Sequence, residues 1–367
     1  SNDVIVLDSA TAELKFEGIA SQPVPSLLRG FSAPVKLKTN QSQADRLFLA
    51  RHDNDGFNRW QALQDVALDL MAGAVTAGSQ PDTTEVEALA SALAETLADK
   101  GTDNALQAMA LSLPGEMSIA SAIGKNIDPL AIHLVRKEML VSISKHLSTQ
   151  LLEIYEARSR ERDDGQTIDA VHARALKNAC LGTLTASGES AHSELAANQF
   201  RTASNMTDRM GALGASVVHG TADAEQLLNH FGEQVRTDPL VGDKWLSLCA
   251  MWPDENALDS VKAIYSDPAF PRTNPNRMRS LVGTFAMSNP VQFARADGAG
   301  FKFVVEVCRE ADKFNPQLSA RILTAFRSWK SWEPERQAKA QKVLRDLSES
   351  SGLSRDITDI LTRTLAD

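Results

Sequence analysis

Residues 274–290 read NPNRMRSLVGTFAMSNP, a stretch that closes on the same two residues with which it opens. Asparagine followed by proline is typical of a helix start. The asparagine side chain accepts a hydrogen bond from a free amide of the first turn, and proline fills a position that has no amide to offer. Proline also pushes the preceding residue toward the extended conformation of a helix cap. The pair therefore predicts helix starts at Asn274-Pro275, Asn289-Pro290 and Asn315-Pro316.

Outward from these starts, the chain is helical in pattern from about residue 41 to its end. Ala and Leu dominate, aromatic residues make up only 5%, and apolar residues recur at helical spacing. Short links between the predicted helices make successive helices spatial neighbours. We therefore predict a mostly α fold over residues 41–367, a right-handed helical array or superhelix with a concave face, although no repeat of fixed length is visible.

The first 40 residues follow a different pattern. Polar and apolar residues alternate over residues 4–38, as they do in strands, and Pro and Gly interrupt the alternation. Three short strands do not form a stable domain alone, because their apolar face and edges need a cover. We predict that residues 1–40 are the terminal strands of a truncated β-sandwich domain, and we expect the natural protein to extend further upstream.

Charge is unevenly distributed along the chain. The net charge is −9, but residues 271–345 hold 14 Lys and Arg against 6 Asp and Glu. Such a segment is either a solvated basic face or the source of a field that draws carboxylates and other anions into a cavity. Nucleic acid is not an expected partner, because the whole chain is acidic and no aromatic-rich basic motif accompanies the segment.

Two arginines of this basic segment occupy unusual positions. Arg279 and Arg321 each lie in the second turn of a helix that starts with Asn-Pro, near the positive end of the helix dipole. One explanation is that both pair with acidic neighbours such as Asp297, Glu306 or Glu310. The other is that each guanidinium group binds a carboxylate from outside the helix, which arginine can do through two parallel hydrogen bonds.

The sequence contains no recognisable catalytic or metal-binding motif. None of the seven histidines forms an H-x-x-x-H pair, and no phosphate-binding loop or G-x-S-x-G motif is present. We expect Cys180, Cys249 and Cys308 to be buried free thiols, which fits a reducing, cytoplasmic compartment. No apolar stretch reaches the roughly 20 residues of a membrane span. We therefore expect no metal site, no catalytic residue and no membrane contact in this chain.

Seven segments, in order along the chain, resemble the C-terminal part of bacterial aminopeptidase N, the alanyl-aminopeptidase type of the gluzincin zinc metallopeptidases. They are QPVPSLLRGFSAPVKL (22–37), NACL (178–181), NMTDRMGAL (205–213), DKW (243–245), NPNRMRSLVGTFAMSNPVQF (274–293), DGAGFKFV (297–304) and NPQLSARI (315–322). The resemblance implies the last strands of that family's β-sandwich followed by its helical domain. The family's H-E-x-x-H zinc motif and its G-A-M-E-N motif are absent from this sequence, so the resemblance implies zinc in the parent enzyme and no hydrolysis by this chain alone.

The resemblance also implies a role for particular residues. In this family the helical domain caps the active-site cavity of the catalytic domain on the same polypeptide, and limits access to short peptides. Its arginines contact the C-terminal side of a bound peptide, whose N-terminal amino acid the parent enzyme removes. The matching positions here are Arg279 and Arg321, with Gln317 as a further candidate, whereas Arg277 is expected to form an ion pair on the helix surface. We expect a monomer, because the acidic surface disfavours self-association.

A free-standing α-solenoid adaptor that binds a protein or peptide on its concave face is the alternative function. The strand pattern at the start of the chain disfavours it, because an adaptor has no reason to begin within a β-sandwich. The residues encoded upstream decide between the two hypotheses, since a preceding segment with H-E-x-x-H would exclude the adaptor.

Overall fold

Helices follow one another along nearly the whole chain. In the computed structural model, residue 6 and residues 8–35, 37–161, 165–235 and 237–366 are described. The first ten helices are α1 (Gln43–His52), α2 (Gly56–Ala77), α3 (Thr83–Ala98), α4 (Asn104–Ala110), α5 (Glu116–Ile123), α6 (Pro129–Arg160), α7 (Ile168–Thr185), α8 (Ser190–Thr202), α9 (Met206–His219) and α10 (Ala224–Val235). The next nine are α11 (Pro239–Ala250), α12 (Ala257–Ser266), α13 (Pro275–Met278), α14 (Thr284–Ser288), α15 (Pro290–Phe293), α16 (Ala299–Asp312), α17 (Pro316–Leu323), α18 (Pro334–Ser348) and α19 (Arg355–Leu365). The predicted mostly α fold is confirmed.

The three Asn-Pro pairs begin helices, as the sequence predicted. The Asn274 side chain accepts hydrogen bonds from the first-turn amides of α13, Asn289 caps α15, and Asn315 caps α17 through the amide of Leu318 at 3.0 Å. Each proline occupies the first helical position, where its missing amide costs nothing. Local chemistry therefore fixes where three helices of the basic segment start.

Neighbouring helices pack in pairs into an array. Contacts join α1 to α2, α6 to α7, α8 to α9, α10 to α11, and α16 to α17. One apolar core, built mainly from Leu, Ala, Val and Phe, runs through these pairs. Its helices are amphipathic, so the apolar stripe of each one is buried against the next. Among the residues described, no helix combines the length and the apolar character needed to cross a bilayer.

The segment before α1 contains no strand in its described residues, 6, 8–35 and 37–42, and its one regular element is a 3₁₀ turn at Arg29–Phe31. The strand pairing expected within residues 4–38 is therefore not formed there, while residues 1–5, 7 and 36 lie outside the described residues. A strand needs hydrogen-bond partners alongside it, and the neighbouring helices have none to offer. The segment contacts the array through Arg29, whose Nη1 lies 2.5 Å from Oδ1 of Asp53. Its assignment to a β-sandwich domain stays a prediction.

The three cysteines are buried free thiols, as expected. Cys308 is fully buried, and its sulfur lies 3.7 Å from the carbonyl oxygen of Ser319 on α17. Burial raises the pKa of each thiol to about 12, so the thiols stay protonated and unreactive at neutral pH. Each thiol contributes to the packing of the apolar core around its own helix.

Four aromatic side chains pack together between α15, α16 and the 3₁₀ segment Thr324–Ser331. The ring of Phe293 lies 5.2 Å from that of Phe301 and 5.0 Å from that of Phe326, and Trp332 stacks on Phe301 at 5.0 Å. Gly300 allows this packing, because a Cβ at this position would lie 2.3 Å from the carbonyl oxygens of both Gln292 and Phe293. The two helices can approach this closely only with glycine at residue 300.

We predict that Gly300→Ala destabilises the array strongly. The methyl group would overlap two backbone carbonyls that cannot rotate away, so we expect a loss of about 3 kcal/mol of unfolding free energy. Gly73→Ala in α2 is the matched control, because nothing lies within 4 Å of its added Cβ and alanine favours a helix by about 0.5–1 kcal/mol. Thermal unfolding followed by circular dichroism checks both variants, and equal midpoints would contradict the close approach.

We also predict that acid weakens the packing at the end of α9. Burial, reinforced by the positive charges of Arg136 and Lys137, lowers the pKa of His219 to about 4, although its ring hydrogen-bonds to the backbone of Gly182. The unfolded chain takes up this proton near pH 6.5, so the stability that His219 contributes is complete above that pH and is lost as the pH falls toward 4.

The measurement is the unfolding midpoint between pH 7 and pH 4.5. The variant His219→Gln should have a shallower fall of the midpoint than the unmodified protein, whereas replacing the exposed His146 by Gln should leave the slope unchanged. A His219→Gln slope identical to that of the unmodified protein would exclude this residue as a source of acid sensitivity.

Candidate functional site

The helix that follows Asn274 contains a π-helical turn. Residues 275–288 are one continuous helix in which Arg279–Gly283 joins α13 to α14. Here the amide of Thr284 donates to the carbonyl oxygen of Arg279, five residues earlier, in place of the usual four. Such turns fit one extra residue into a helix and are frequent at functional sites. Arg279 is the first residue of this turn.

Arg277 and Arg279 have different surroundings although only one residue separates them. Nη1 of Arg277 lies 3.1 Å from Oδ1 of Asp243 on α11, and both side chains are largely shielded from solvent. The guanidinium group also covers Gly242, where a Cβ would lie 2.6 Å from Nη1. The prediction that Arg277 forms an ion pair is confirmed, and the pair joins two helices.

Arg279 is exposed and forms no ion pair with any residue in the described ranges. Its Nη2 donates a hydrogen bond to Oδ1 of Asn276, one turn earlier on the same helix. A carboxamide oxygen is neutral, so it orients the guanidinium group and leaves its positive charge uncompensated. This side chain therefore stays available for an anion.

Arg321 and Gln317 lie four residues apart on α17, and both are exposed. Within the part of the chain that the structure describes, neither side chain has a hydrogen-bond or ion-pair partner. Residues four apart on a helix share one face, so the amide and the guanidinium group can act on the same ligand. The side chains of both predicted site residues on this helix are thus available to bind a ligand.

The acidic neighbours proposed as partners for the two arginines are engaged elsewhere or unpaired. Asp297 pairs with Arg295 at 3.0 Å, and Glu310 accepts a hydrogen bond of 2.6 Å from the hydroxyl of Tyr265. Burial and this carboxylate raise the pKa of Tyr265. No ion pair of Glu306 occurs among the described residues. The structure therefore does not form the neighbour pairs that the simpler explanation of the arginines required.

Packing brings the two arginine-bearing helices together. Helix α17 contacts the π-helical turn Arg279–Gly283, and α11 packs against that turn from another direction. Helix α17 is also tied to α16, because the Ser319 hydroxyl donates to the carbonyl oxygen of Cys308 at 2.7 Å. The predicted site residues Arg279, Arg321 and Gln317 thus lie on adjacent helices, and their role toward a peptide stays a prediction.

A buried polar cluster that the sequence analysis did not single out joins α7, α8 and α9. Asp208 accepts from Nζ of Lys177 at 2.5 Å and from Nδ2 of Asn178 at 2.9 Å, and Gln199 donates to Oδ1 of Asn178 at 2.7 Å. Asn178 and Asp208 belong to the quoted segments NACL and NMTDRMGAL, which is the signal that could have drawn attention to them. The ion pair and the two amides thus form one hydrogen-bonded network that links three helices.

The cluster borders a cavity of about 1010 Å³ that Arg279 and Arg321 do not line. Its wall carries charges of both signs, including Glu156, Arg158, Asp169 and Lys177. No group of three or more His, Cys, Asp or Glu side chains that could hold a metal ion occurs in the described ranges. The residues described do not fit a zinc ion.

Two family models match consecutive parts of the chain. The domain of unknown function DUF3458_C, described as ARM repeats, matches residues 43–366. The domain of unknown function DUF3458, described as an Ig-like fold, matches residues 1–40. Because the first model covers most of the chain, this chain belongs to the DUF3458_C family of ARM-repeat domains.

Three relatives carry the name Aminopeptidase N. Those from Caulobacter vibrioides and Escherichia coli are each 34% identical to this chain, over 99% and 100% of its length, and the one from Haemophilus influenzae is 31% identical over 99%. The chain spans 42% of the length of each. The resemblance to the C-terminal region of bacterial aminopeptidase N is confirmed.

A solved structure has the same fold. The crystal structure of Legionella pneumophila aminopeptidase A in complex with aspartic acid matches with a TM-score of 0.85 and 25% identity, over 95% of this chain and 41% of that one. If the chain were a free-standing adaptor, we would expect relatives of about its own length. The relatives reported above are more than twice as long and are named as aminopeptidases.

We predict that the two neighbouring arginines differ in their effect on stability. Arg277→Ala leaves the largely shielded carboxylate of Asp243 without its partner, so the unfolding free energy should fall by about 1–3 kcal/mol. Arg279→Ala removes an exposed side chain and should change stability by no more than about 0.5 kcal/mol. Thermal unfolding of both variants checks this, and an equal fall for both would mean that Arg279 also serves the fold.

Proposed function

We propose that this chain is the capping domain of a zinc-dependent aminopeptidase that removes N-terminal amino acids from peptides. In this proposal the zinc centre and the catalytic domain lie elsewhere on the same polypeptide, and this chain hydrolyses nothing alone. The observation that carries the proposal is the match of three proteins named Aminopeptidase N to nearly all of this chain, which spans 42% of each. The proposal assigns no step of the reaction to side chains of this chain, and its described residues include no group of three or more His, Cys, Asp or Glu that could hold a metal ion.

The proposed contribution of this chain to substrate binding is a carboxylate site formed by Arg279 and Arg321, with Gln317 as an additional hydrogen-bond donor. Both guanidinium groups are exposed and lack an ion-pair partner in the described residues, and their helices are in contact. An exopeptidase that acts on short peptides has a free carboxylate near its reaction centre, because an extended chain advances only about 3.5 Å per residue. Arginine suits this group better than lysine, since its planar fork matches the two oxygens.

The proposal also gives the basic segment a function. Residues 271–345 hold 14 Lys and Arg against 6 Asp and Glu in a chain of net charge −9, so positive charge is concentrated in the segment that carries both arginines. A field of this sign raises the local concentration of peptides that end in a carboxylate. A helical cap would in addition exclude folded proteins and limit the access of water to the reaction centre.

The proposed partners are the catalytic domain of the same polypeptide and short peptides, with neither nucleic acid nor a membrane. We place the protein in the cytoplasm as a monomer. The three buried free thiols suit a reducing compartment, and the net charge of −9 disfavours self-association.

The test is Arg321→Ala in the longer polypeptide that carries this chain. A charge-assisted hydrogen bond contributes about 1.5–3 kcal/mol, so kcat/KM for a tripeptide with a free C-terminus should fall by about 10-fold to 100-fold. The same tripeptide with a C-terminal amide should lose less than about 3-fold, because the amide lacks the charge that Arg321 binds.

Arg327→Ala is the matched control, since this arginine is also exposed, lies six residues further along and has no ion pair among the described residues. This substitution should leave unchanged the ratio of kcat/KM for the tripeptide with a free C-terminus to kcat/KM for the amidated tripeptide. Equal losses on both substrates in the Arg321→Ala enzyme would assign that arginine to structure and reject the carboxylate site.

A further inference from the structure

The two proposed carboxylate-binding arginines share a local arrangement. Arg279 follows the exposed amide residue Asn276 by three positions, and Arg321 follows the exposed amide residue Gln317 by four. In each helix the amide residue stands directly after the Asn-Pro start. Two contacting helices therefore present the same pair of functional groups, a carboxamide in the first turn and a guanidinium group in the second.

The carboxamide and the guanidinium group of the first pair are in contact. Nη2 of Arg279 donates to Oδ1 of Asn276, and the Asn276 side chain has no other hydrogen-bond partner among the described residues. The backbone amide of Asn276 is already used, because it donates to the capping oxygen of Asn274 at 2.9 Å. The side chain of Asn276 therefore does not serve the helix start, and its contact is with Arg279 alone.

We infer that Asn276 is a positioning residue for Arg279, an inference that rests on the proposed function. Its carboxamide oxygen holds one end of the guanidinium fork and so reduces the number of conformations that Arg279 samples before a peptide binds. Holding a side chain in its bound conformation improves affinity, because less conformational freedom is lost on binding. Being uncharged, the oxygen does this without competing with the carboxylate for the positive charge.

The partner of Arg279 lies in the helical turn that precedes the π-helical turn. Arg279 stands at the first position of Arg279–Gly283, and Asn276 is three residues earlier, on α13. The nearby carboxylate of Asp243 is occupied by Arg277 and so does not attract Arg279. A neutral partner one turn earlier is then the contact that sets the direction of this guanidinium group.

Replacing Asn276 should weaken peptide binding without weakening the fold. Asn276 is exposed and alanine is the better helix former, so Asn276→Ala should leave the unfolding midpoint unchanged or slightly higher. In the longer polypeptide the same substitution should raise KM for a tripeptide with a free C-terminus about 3-fold to 10-fold, with kcat little changed. The C-terminally amidated tripeptide should be unaffected.

A double-substitution cycle shows whether Asn276 acts through Arg279. In an Arg279→Ala background, Asn276→Ala should have no further effect on KM, because no guanidinium group remains to be positioned. Asn276→Asp should weaken tripeptide binding more than Asn276→Ala does, since an introduced carboxylate would occupy Arg279. Asn256→Ala is the control, because this exposed asparagine precedes α12 and makes no capping hydrogen bond.

Two results would overturn the inference and leave the proposed function standing. In one, Arg279→Ala changes the ratio of the KM values for the free-acid and the amidated tripeptide, whereas Asn276→Ala leaves this ratio unchanged. The other is an Asn276→Ala effect that persists undiminished in the Arg279→Ala background. If Arg279→Ala and Arg321→Ala both leave the ratio of the two substrates unchanged, the proposed carboxylate site fails and the inference fails with it.

Discussion

The close approach of α16 to the carbonyl groups of Gln292 and Phe293 is the constraint on which the candidate site depends. Only glycine at residue 300 permits this approach. The rings of Phe293 and Trp332 pack against Phe301, the next residue of α16. Helix α16 in turn holds α17 through the bond from Ser319 to the carbonyl oxygen of Cys308, and α17 lies against the π-helical turn. A backbone contact between α15 and α16 thus helps to position the two helices that carry Arg279 and Arg321.

Electrostatic pairing around the site is selective. Arg277 is neutralised by Asp243, Arg295 by Asp297, and Arg336 by Asp128 and Glu333 at 3.2 and 3.0 Å. These ion pairs hold helices or their ends in place. The carboxylates that form them are then not available to pair with Arg279 or Arg321. Arg279 has only a neutral amide neighbour, and Arg321 has no side-chain partner among the described residues. An array with a net negative charge can in this way keep a local positive surface for an anionic group.

The sequence predicted what depends on local chemistry. Helix starts at the Asn-Pro pairs, the buried thiols and the helical class all follow from short-range preferences, and the family resemblance followed from quoted segments. It predicted an ion pair for Arg277 but not its partner Asp243, because that partner depends on how α11 packs against the later helix, and it did not predict the π-helical turn. The strand pattern of residues 4–38 failed to form strands in the described residues for a related reason. Alternation is encoded locally, whereas a strand exists only with a partner. The cluster around Asp208 was missed because its members come from three helices.

The proposed carboxylate site requires Arg279 and Arg321 to face the C-terminus of a bound peptide. A crystal structure of the longer polypeptide with a bound tripeptide tests it most directly. We expect a carboxylate oxygen within about 3 Å of a guanidinium nitrogen of Arg279 or Arg321, with Asn276 still accepting a hydrogen bond from Arg279. Both arginines paired with carboxylates of the catalytic domain, and a peptide C-terminus bound by other residues, would contradict it.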